Sequence, residues 1–316
     1  MFLIWLLLAV VIIVMLTSYI CYHIVFYAKP APPLPEGEFD IPPGKVYLPY
    51  RDQMITWQKQ VRQLPVEHFS ITAFDGIPLH GKFYEFAPGA VIELMFHGYR
   101  GSAERDLCGG VQRAFSLGRS VLLVDQRTAG KSGGHTITFG INEHQDCLAW
   151  VDFAVKHFGP EIKLILTGIS MGAATVVIAS GCDLPENVVG ILADCGYSSA
   201  KEIIYKCSRD MKLPPKLMYP FIKLGARLFG HFDLDETSPI EAVKRCKKPI
   251  IFFHGEEDGF VPCYMSQMVY EACTSPKRIV TMTGADHGMC FLADPDGYLK
   301  NVAEFFTENG TITTVL

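Results

Sequence analysis

The sequence predicts an α/β fold, a mostly parallel eight-stranded sheet covered by helices on both faces, behind an N-terminal transmembrane helix. Three observations carry this. From residue 68 onward, short apolar runs bounded by Gly, Asp or charge alternate with segments of helical length. The first 27 residues are almost wholly apolar. The 316 residues are 49% apolar and only 19% charged, too hydrophobic for a disordered chain and enough for one large domain or two small ones.

Charge and cysteine content narrow the classes. Lys and Arg total 28 against 33 Asp and Glu, a net charge of −5 with no basic block. Nucleic-acid binding needs clustered cations to displace counterions, so it is disfavoured. Ten cysteines without a CxxC pair or a Cys/His cluster at ligand spacing read as free thiols, which fits a reducing compartment and implies no metal. The mean hydropathy of +0.21 is high for a soluble protein and places some apolar sequence outside a globular core.

That excess lies at the N-terminus. Phe2 to Leu16 is uninterrupted apolar sequence and continues through Ser18, Ile20 and Cys21 to Tyr27. About 20 helical residues cross a hydrocarbon layer of about 30 Å. Trp5 on one side and Tyr19, Tyr22 and Tyr27 on the other suit the two interfaces. A cleaved signal peptide wants a basic start and a small-residue cleavage site; neither is present, so residues 1–28 read as an uncleaved anchor to the lipid bilayer. Lys29, Lys45 and Arg51 follow the span, a small bias toward a cytoplasmic domain.

Residues 29–65 read as spacer and connector. Lys29-Pro30-Ala31-Pro32-Pro33-Leu34-Pro35-Glu36-Gly37 and Ile41-Pro42-Pro43-Gly44 are too proline-rich for helix or sheet and predict an extended, semi-stiff link. Gln53 to Gln63 predicts a short polar helix with Met54, Trp57 and Val61 on one face, a solvated connector packed loosely on the domain.

Residues 66–316 form the main domain. His68–Phe74 and Leu79–Phe86 flank Asp75-Gly76-Ile77-Pro78 and predict a hairpin. Further strands are predicted at Val91–Phe96, Ser120–Asp125, Lys163–Thr167, Val188–Asp194, Pro249–His254 and Arg278–Thr283. Helices fall at 104–117, 142–158, 171–181, 263–273 and 295–309. The stretch 197–246 interrupts the alternation with two helix-like pieces around Leu213-Pro214-Pro215, and an insertion of that length predicts a cap over a site.

Gly168-Ile169-Ser170-Met171-Gly172 follows a strand and opens a small-residue helix, the setting a nucleophile elbow needs. A serine hydroxyl needs a base, and the base an orienting acid. His287, in Ala285-Asp286-His287-Gly288, and Asp258, in Glu256-Glu257-Asp258-Gly259, both follow predicted strands and are the candidates. Glu256, Glu257 and Asp194 are weaker alternatives for the acid, and Asp286 reads as loop-forming. The backbone N–H of Met171 and that of Tyr99, in His97-Gly98-Tyr99-Arg100-Gly101, are the candidate oxyanion donors. The Tyr99 and Arg100 side chains are candidates to line the pocket, with a surface position for Arg100 as the alternative.

In this order, the His97-Gly98-Tyr99 loop, Asp125–Gly134, the elbow and the Asp258 and His287 loops resemble the α/β-hydrolase superfamily. The resemblance is strongest to bacterial membrane-anchored serine-aminopeptidase-like and acyl-peptidase-like hydrolases, and covers about residues 66–308. It implies a Ser170–Asp258–His287 triad, oxyanion donors at Tyr99 and Met171, and no cofactor. Thr128-Ala129 departs from the His or Arg many relatives carry there, which bears on local packing. The expected activity is serine hydrolysis of a small-molecule or peptide acyl substrate, an ester, thioester or amide, with an esterase favoured. A peptidase of the same fold and a non-catalytic scaffold are the alternatives. Gly130-Lys131-Ser132 is not a phosphate-binding loop, because Asp125 stands where that motif needs glycine.

Overall fold

The computed structural model describes residues 1–29, 34–35 and 37–311; part of the predicted proline spacer, residues 30–33 and 36, lies outside the described residues. The chain opens with α1 (Phe2–Val25), and a short 3-10 turn at Lys45–Tyr50 leads into α2 (Arg51–Gln63). The hairpin β1 (Glu67–Thr72) and β2 (Pro78–Tyr84) precedes the alternating part: β3 (Ile92–Phe96), α3 (Ala103–Ser116), β4 (Ser120–Asp125), α4 (Glu143–Phe158), β5 (Leu164–Ile169), α5 (Met171–Ser180) and β6 (Val188–Asp194). Helices α6 (Ala200–Asp210), α7 (Pro215–Phe229) and α8 (Pro239–Ala242) separate β6 from β7 (Ile250–Gly255). The chain then runs through α9 (Tyr264–Ala272), β8 (Lys277–Met282), α10 (Cys290–Ala293) and α11 (Pro295–Glu308).

The eight strands form one sheet in the order β1-β2-β4-β3-β5-β6-β7-β8. The hairpin is antiparallel and β2 runs antiparallel to β4; every later pairing is parallel. Strands β3, β5, β6, β7 and β8 therefore all end at one edge, where crossover loops collect. The central strands are near-continuous apolar runs because both faces are covered: α4, α5 and α9 pack on one side, α3 and α11 on the other. Trp150 of α4 is fully buried over Gly81 of β2, where a Cβ would come within 2.9 Å of the indole.

One charge is embedded in this sheet. Glu93 of β3 is buried between Arg113 and Arg119 and also accepts from Thr167 Oγ1 at 3.0 Å. Burial alone would push its carboxyl up, but the two guanidiniums and the hydrogen bonds hold it below its ordinary value. The cluster ties α3, β3 and β5 together beneath the sheet edge.

Two segments pack differently from expectation. Helix α2 is not loosely attached: Met54, Gln58 and Val61 are buried, and Trp57 stacks on Phe291 at 5.6 Å. The alternation of these residues with polar ones on a short helix gives it a docking face despite its low hydrophobicity. Helix α1 is exposed over residues 2–13 but buries Ser18, Cys21 and Tyr22, and Phe26 just beyond it. There it packs along α7 so closely that a Cβ on Gly225 would lie 2.4 Å from the Ser18 carbonyl oxygen. Phe26 is held edge-on by Phe139 and Phe232, and Ile137 N–H donates to Phe26 O at 2.8 Å. Ala28 N–H donates to His135 O at 3.0 Å.

Candidate active site

The elbow follows from steric limits on the turn between β5 and α5. Ser170 sits at φ 56° and ψ −116°, a conformation that L-residues seldom adopt. Its neighbours must be glycine: a Cβ on Gly168 would lie 2.1 Å from the Gly172 carbonyl oxygen, and one on Gly172 would lie 2.0 Å from Phe96 O. Ser170 N–H donates to Asp194 O at 2.8 Å, so the end of β6 fixes the turn. Its side chain is thereby held up at the sheet edge.

Two loops converge on that hydroxyl. His287 Nε2 lies 2.9 Å from Ser170 Oγ, and His287 Nδ1 lies 2.7 Å from Asp258 Oδ2. Asp258 Oδ1 accepts from Phe260 N–H at 2.9 Å and Val261 N–H at 2.7 Å, while His254 Nε2 stands 3.2 Å from Oδ2. Burial works against the Asp258 charge, but the bonds from His254 and His287 hold its carboxyl down at about 2. Asp286 Oδ1 accepts from Gly259 N–H at 3.1 Å and His287 N–H at 2.7 Å, so it fastens the two loops to each other.

The alternative acids lie elsewhere. Glu256 is exposed and accepts from Thr281 and Thr283, and Glu257 is exposed. Asp194 is buried behind the elbow and accepts from Tyr298 Oη at 2.9 Å.

Beside the hydroxyl, Gly98 comes within reach of Ser170, since a Cβ there would lie 3.5 Å from Ser170 Cβ. Gly98 N–H donates to Asp106 Oδ2 at 3.2 Å, and the His97 ring spans Gly98 O and Gln126 N–H at 2.8 and 3.0 Å. Among the described residues, the N–H groups of Tyr99 and Met171 find no acceptor, which leaves them available to an oxygen at the elbow.

The Tyr99 and Arg100 side chains turn away from the hydroxyl, toward α1. Tyr99 Oη donates to Val25 O at 2.8 Å, and Arg100 Nη2 to Ile24 O at 2.9 Å and Tyr27 O at 3.0 Å. The Ile24 and Val25 carbonyls are among the unpaired ones at the C-terminus of α1, where a cation is also favoured by the dipole, and Tyr27 follows just beyond. Sequence reasoning had no signal for this pairing. It also missed Tyr47, which donates to His287 O at 3.0 Å from the turn before α2.

A cavity of about 560 Å³ adjoins the elbow only through Met171 and His97 and extends past Arg100 and Ile137 toward Lys131. Neither Ser170 nor His287 lines it. Among the described residues, Cys195, Asp258 and His287 bring potential ligand atoms within 4.8 Å of one another. Burial pushes the Cys195 thiol far above its ordinary value, and Asp258 and His287 are already engaged with each other.

No known protein-family model matches the sequence. By structure, the esterase Pf2001 of Pyrococcus furiosus superposes with a TM-score of 0.66 at 21% identity, over 89% of this chain and 98% of that one. An acylaminoacyl peptidase of Pyrococcus horikoshii superposes at 0.57 and 18% identity, over 79% of this chain and 43% of that one.

The chain has the α/β-hydrolase fold.

Among curated sequences, the uncharacterized protein YqkD of Bacillus subtilis is 27% identical over 190 residues, which is 60% of this chain and 62% of that protein. Protein bem46 of Schizosaccharomyces pombe is 24% identical over 221 residues, 68% of this chain and 67% of that one. Within the α/β-hydrolase fold the elbow, the β7 loop and the β8 loop meet at the carboxyl edge of the sheet, which is where Ser170, Asp258 and His287 stand.

Proposed function

We propose that this chain is a membrane-anchored serine hydrolase that cleaves an acyl substrate, an ester in first preference, through an acyl-enzyme. The observation that carries the reading is the Ser170–His287–Asp258 row at the elbow, with bonds of 2.9 and 2.7 Å. His287 Nε2 takes the hydroxyl proton as Ser170 Oγ attacks the carbonyl carbon. Asp258 accepts from Nδ1–H, which leaves Nε2 as the basic nitrogen and stabilises the imidazolium. The resulting oxyanion is met by the N–H groups of Tyr99 and Met171; removing one such donor typically costs about 10²–10³ in kcat. His287 then returns the proton to the leaving group, and water repeats the sequence on the acyl-Ser170 ester.

Esterases among the structural neighbours favour ester substrates, and the acylaminoacyl peptidase keeps a peptide substrate as the second reading. A scaffold without activity has no need of all three side chains in one hydrogen-bonded row. Helix α1, with 24 residues and a mean hydropathy of 2.8 over its most apolar window, is long and apolar enough to span a bilayer. On this reading residues 1–28 anchor, 29–65 connect and 66–316 catalyse, with 197–246 as the cap. Lys29, Lys45 and Arg51 favour a cytoplasmic catalytic domain.

The test is labelling by a fluorophosphonate probe. Wild type should be labelled, and Ser170→Ala should lose the label while keeping its thermal transition; a labelled Ser170→Ala protein overturns the nucleophile. Turnover of a p-nitrophenyl ester against a p-nitroanilide peptide then separates the two substrate readings.

A further inference from the structure

The length of α1 and the place where α7 meets it are hard to reconcile with a catalytic domain that stands clear of the membrane. The uninterrupted exposed stretch of α1 is residues 2–13, twelve residues that rise about 18 Å. A hydrocarbon core is about 30 Å thick, so that free part is too short to cross it. The remainder of the span must be drawn from Val14 to Val25, the half of α1 that carries the α7 contact at Ser18 and Tyr22. If α1 spans, α7 goes into the bilayer with it.

The sequence of α7 suits that position. Leu217, Phe221, Leu224 and Leu228 recur at spacings of four, three and four and form one stripe along the helix. Leu217 is 60% exposed and Leu228 is 42% exposed, and the turn before the helix adds Met211 and Leu213, at 61% and 38%. At 100° per residue this stripe lies directly beside the Gly225 edge that contacts α1, so it continues the uncovered surface of α1. The charges are on the other edge. Lys223 pairs with Asp233 and Asp235, Arg227 pairs with Asp233, and Lys216 is exposed. This is the division expected of a helix lying at the boundary between headgroups and acyl chains.

We propose that α7 is immersed in the membrane beside the C-terminal half of α1, with its Leu217–Phe221–Leu224–Leu228 face against lipid chains. The proposal rests on the reading of α1 as a spanning helix and goes beyond the assignment of a hydrolase. It makes the cap a lipid-facing element and not only a cover.

Tryptophan quenching in vesicles tests it without using hydrolysis, so the serine-hydrolase reading stands or falls separately. The full chain is reconstituted into phosphatidylcholine brominated high on the acyl chain, close to the headgroups. Trp5 in α1 reports on the anchor, and Leu217→Trp made together with Trp5→Phe reports on α7, against Trp5→Phe alone as the baseline for Trp57 and Trp150. Leu228→Trp in the same background reads the other end of α7 should Leu217→Trp fail to fold. The expected result is quenching of Trp5 in wild type and a quenched, blue-shifted emission from both new tryptophans. Quenching of Trp5 with water-like, unquenched emission from α7 overturns the immersion of α7 and leaves the anchor standing. Absence of quenching at Trp5 overturns the anchor and the proposal together. A new tryptophan that is blue-shifted but unquenched means a second copy of the chain covers the stripe, and also overturns it.

Discussion

The elbow and the α1–α7 junction both depend on glycine, but for different reasons. At the elbow, Gly168 lets the backbone close on Gly172 and Gly172 lets it pass Phe96 at the end of β3, and the alternative to glycine is a different turn. At the junction, Gly225 lets α7 approach the Ser18 carbonyl more than two hundred residues away, and the alternative is a wider gap between two intact helices. The first kind of contact fixes reacting atoms; the second fixes only how one surface sits on another. Damage should therefore be all-or-none at the elbow side and graded at the junction.

The largest effect is expected for Asp258→Asn, which keeps the shape but presents an amide to His287 Nδ1. Loss of the correct tautomer should lower kcat by about 10⁴ with little change in KM, measured on a soluble ester. The same variant has a pH signature. Because the folded state holds the Asp258 carboxyl at about 2 instead of 3.8, its ionisation stabilises the fold by about 2 kcal/mol above pH 3.8. That contribution is lost as pH falls through about 2, so unfolding midpoints of wild type and variant should converge across that window and stay apart at neutral pH. A gap independent of pH would remove the charge from the explanation.

A middle effect is expected for Gly225→Val. A Cβ 2.4 Å from Ser18 O forces α1 and α7 apart, and overpacking of this sort costs about 1–3 kcal/mol. The thermal transition should fall, and KM should rise while kcat on a soluble ester changes little. A collapse of kcat would mean that the junction governs the reacting atoms after all, and would break the contrast.

The smallest effect is expected for Arg100→Ala. Two exposed bonds to the Ile24 and Tyr27 carbonyls are lost, each worth about 0.5–1.5 kcal/mol net, and the Tyr99 N–H beside them loosens. A fall in kcat of about threefold to tenfold without loss of probe labelling is the expected outcome, read from single-turnover rates. An unchanged kcat would show that Asp106, His97 and the Tyr99–Val25 bond hold this loop without Arg100.

The sheet was legible because its strands are short apolar runs whose ends are marked by Gly and Asp, and because covered parallel strands need no alternation. The residues now seen in one row at the elbow were legible as candidates because a tight strand-to-helix turn admits so few sequences. What escaped was whatever depends on pairing across long separations. Gln53–Gln63 reads as solvated because its buried face is only Met54, Gln58 and Val61, and nothing local says that Tyr47 reaches His287. Arg100 reads as either a pocket-lining or a surface residue until the carbonyls of Ile24 and Tyr27 are seen beside it. Nor does anything local say that the His254 nitrogen that meets Val261 O also faces Asp258.

The position of the anchor contacts along the chain has a mechanical consequence. Tyr22, Phe26 and Ala28 are bonded to or packed against the body of the protein before the proline-rich segment begins, so that segment is not what joins the helix to the domain. A body hung from a stiff tether would tumble and present every side to the membrane surface in turn. Here the rotation is arrested at the last turn of α1, and the same carbonyls that stop it are held by the loop carrying Tyr99. On the proposed spanning reading, the tilt of α1 therefore sets how the sheet edge faces the bilayer.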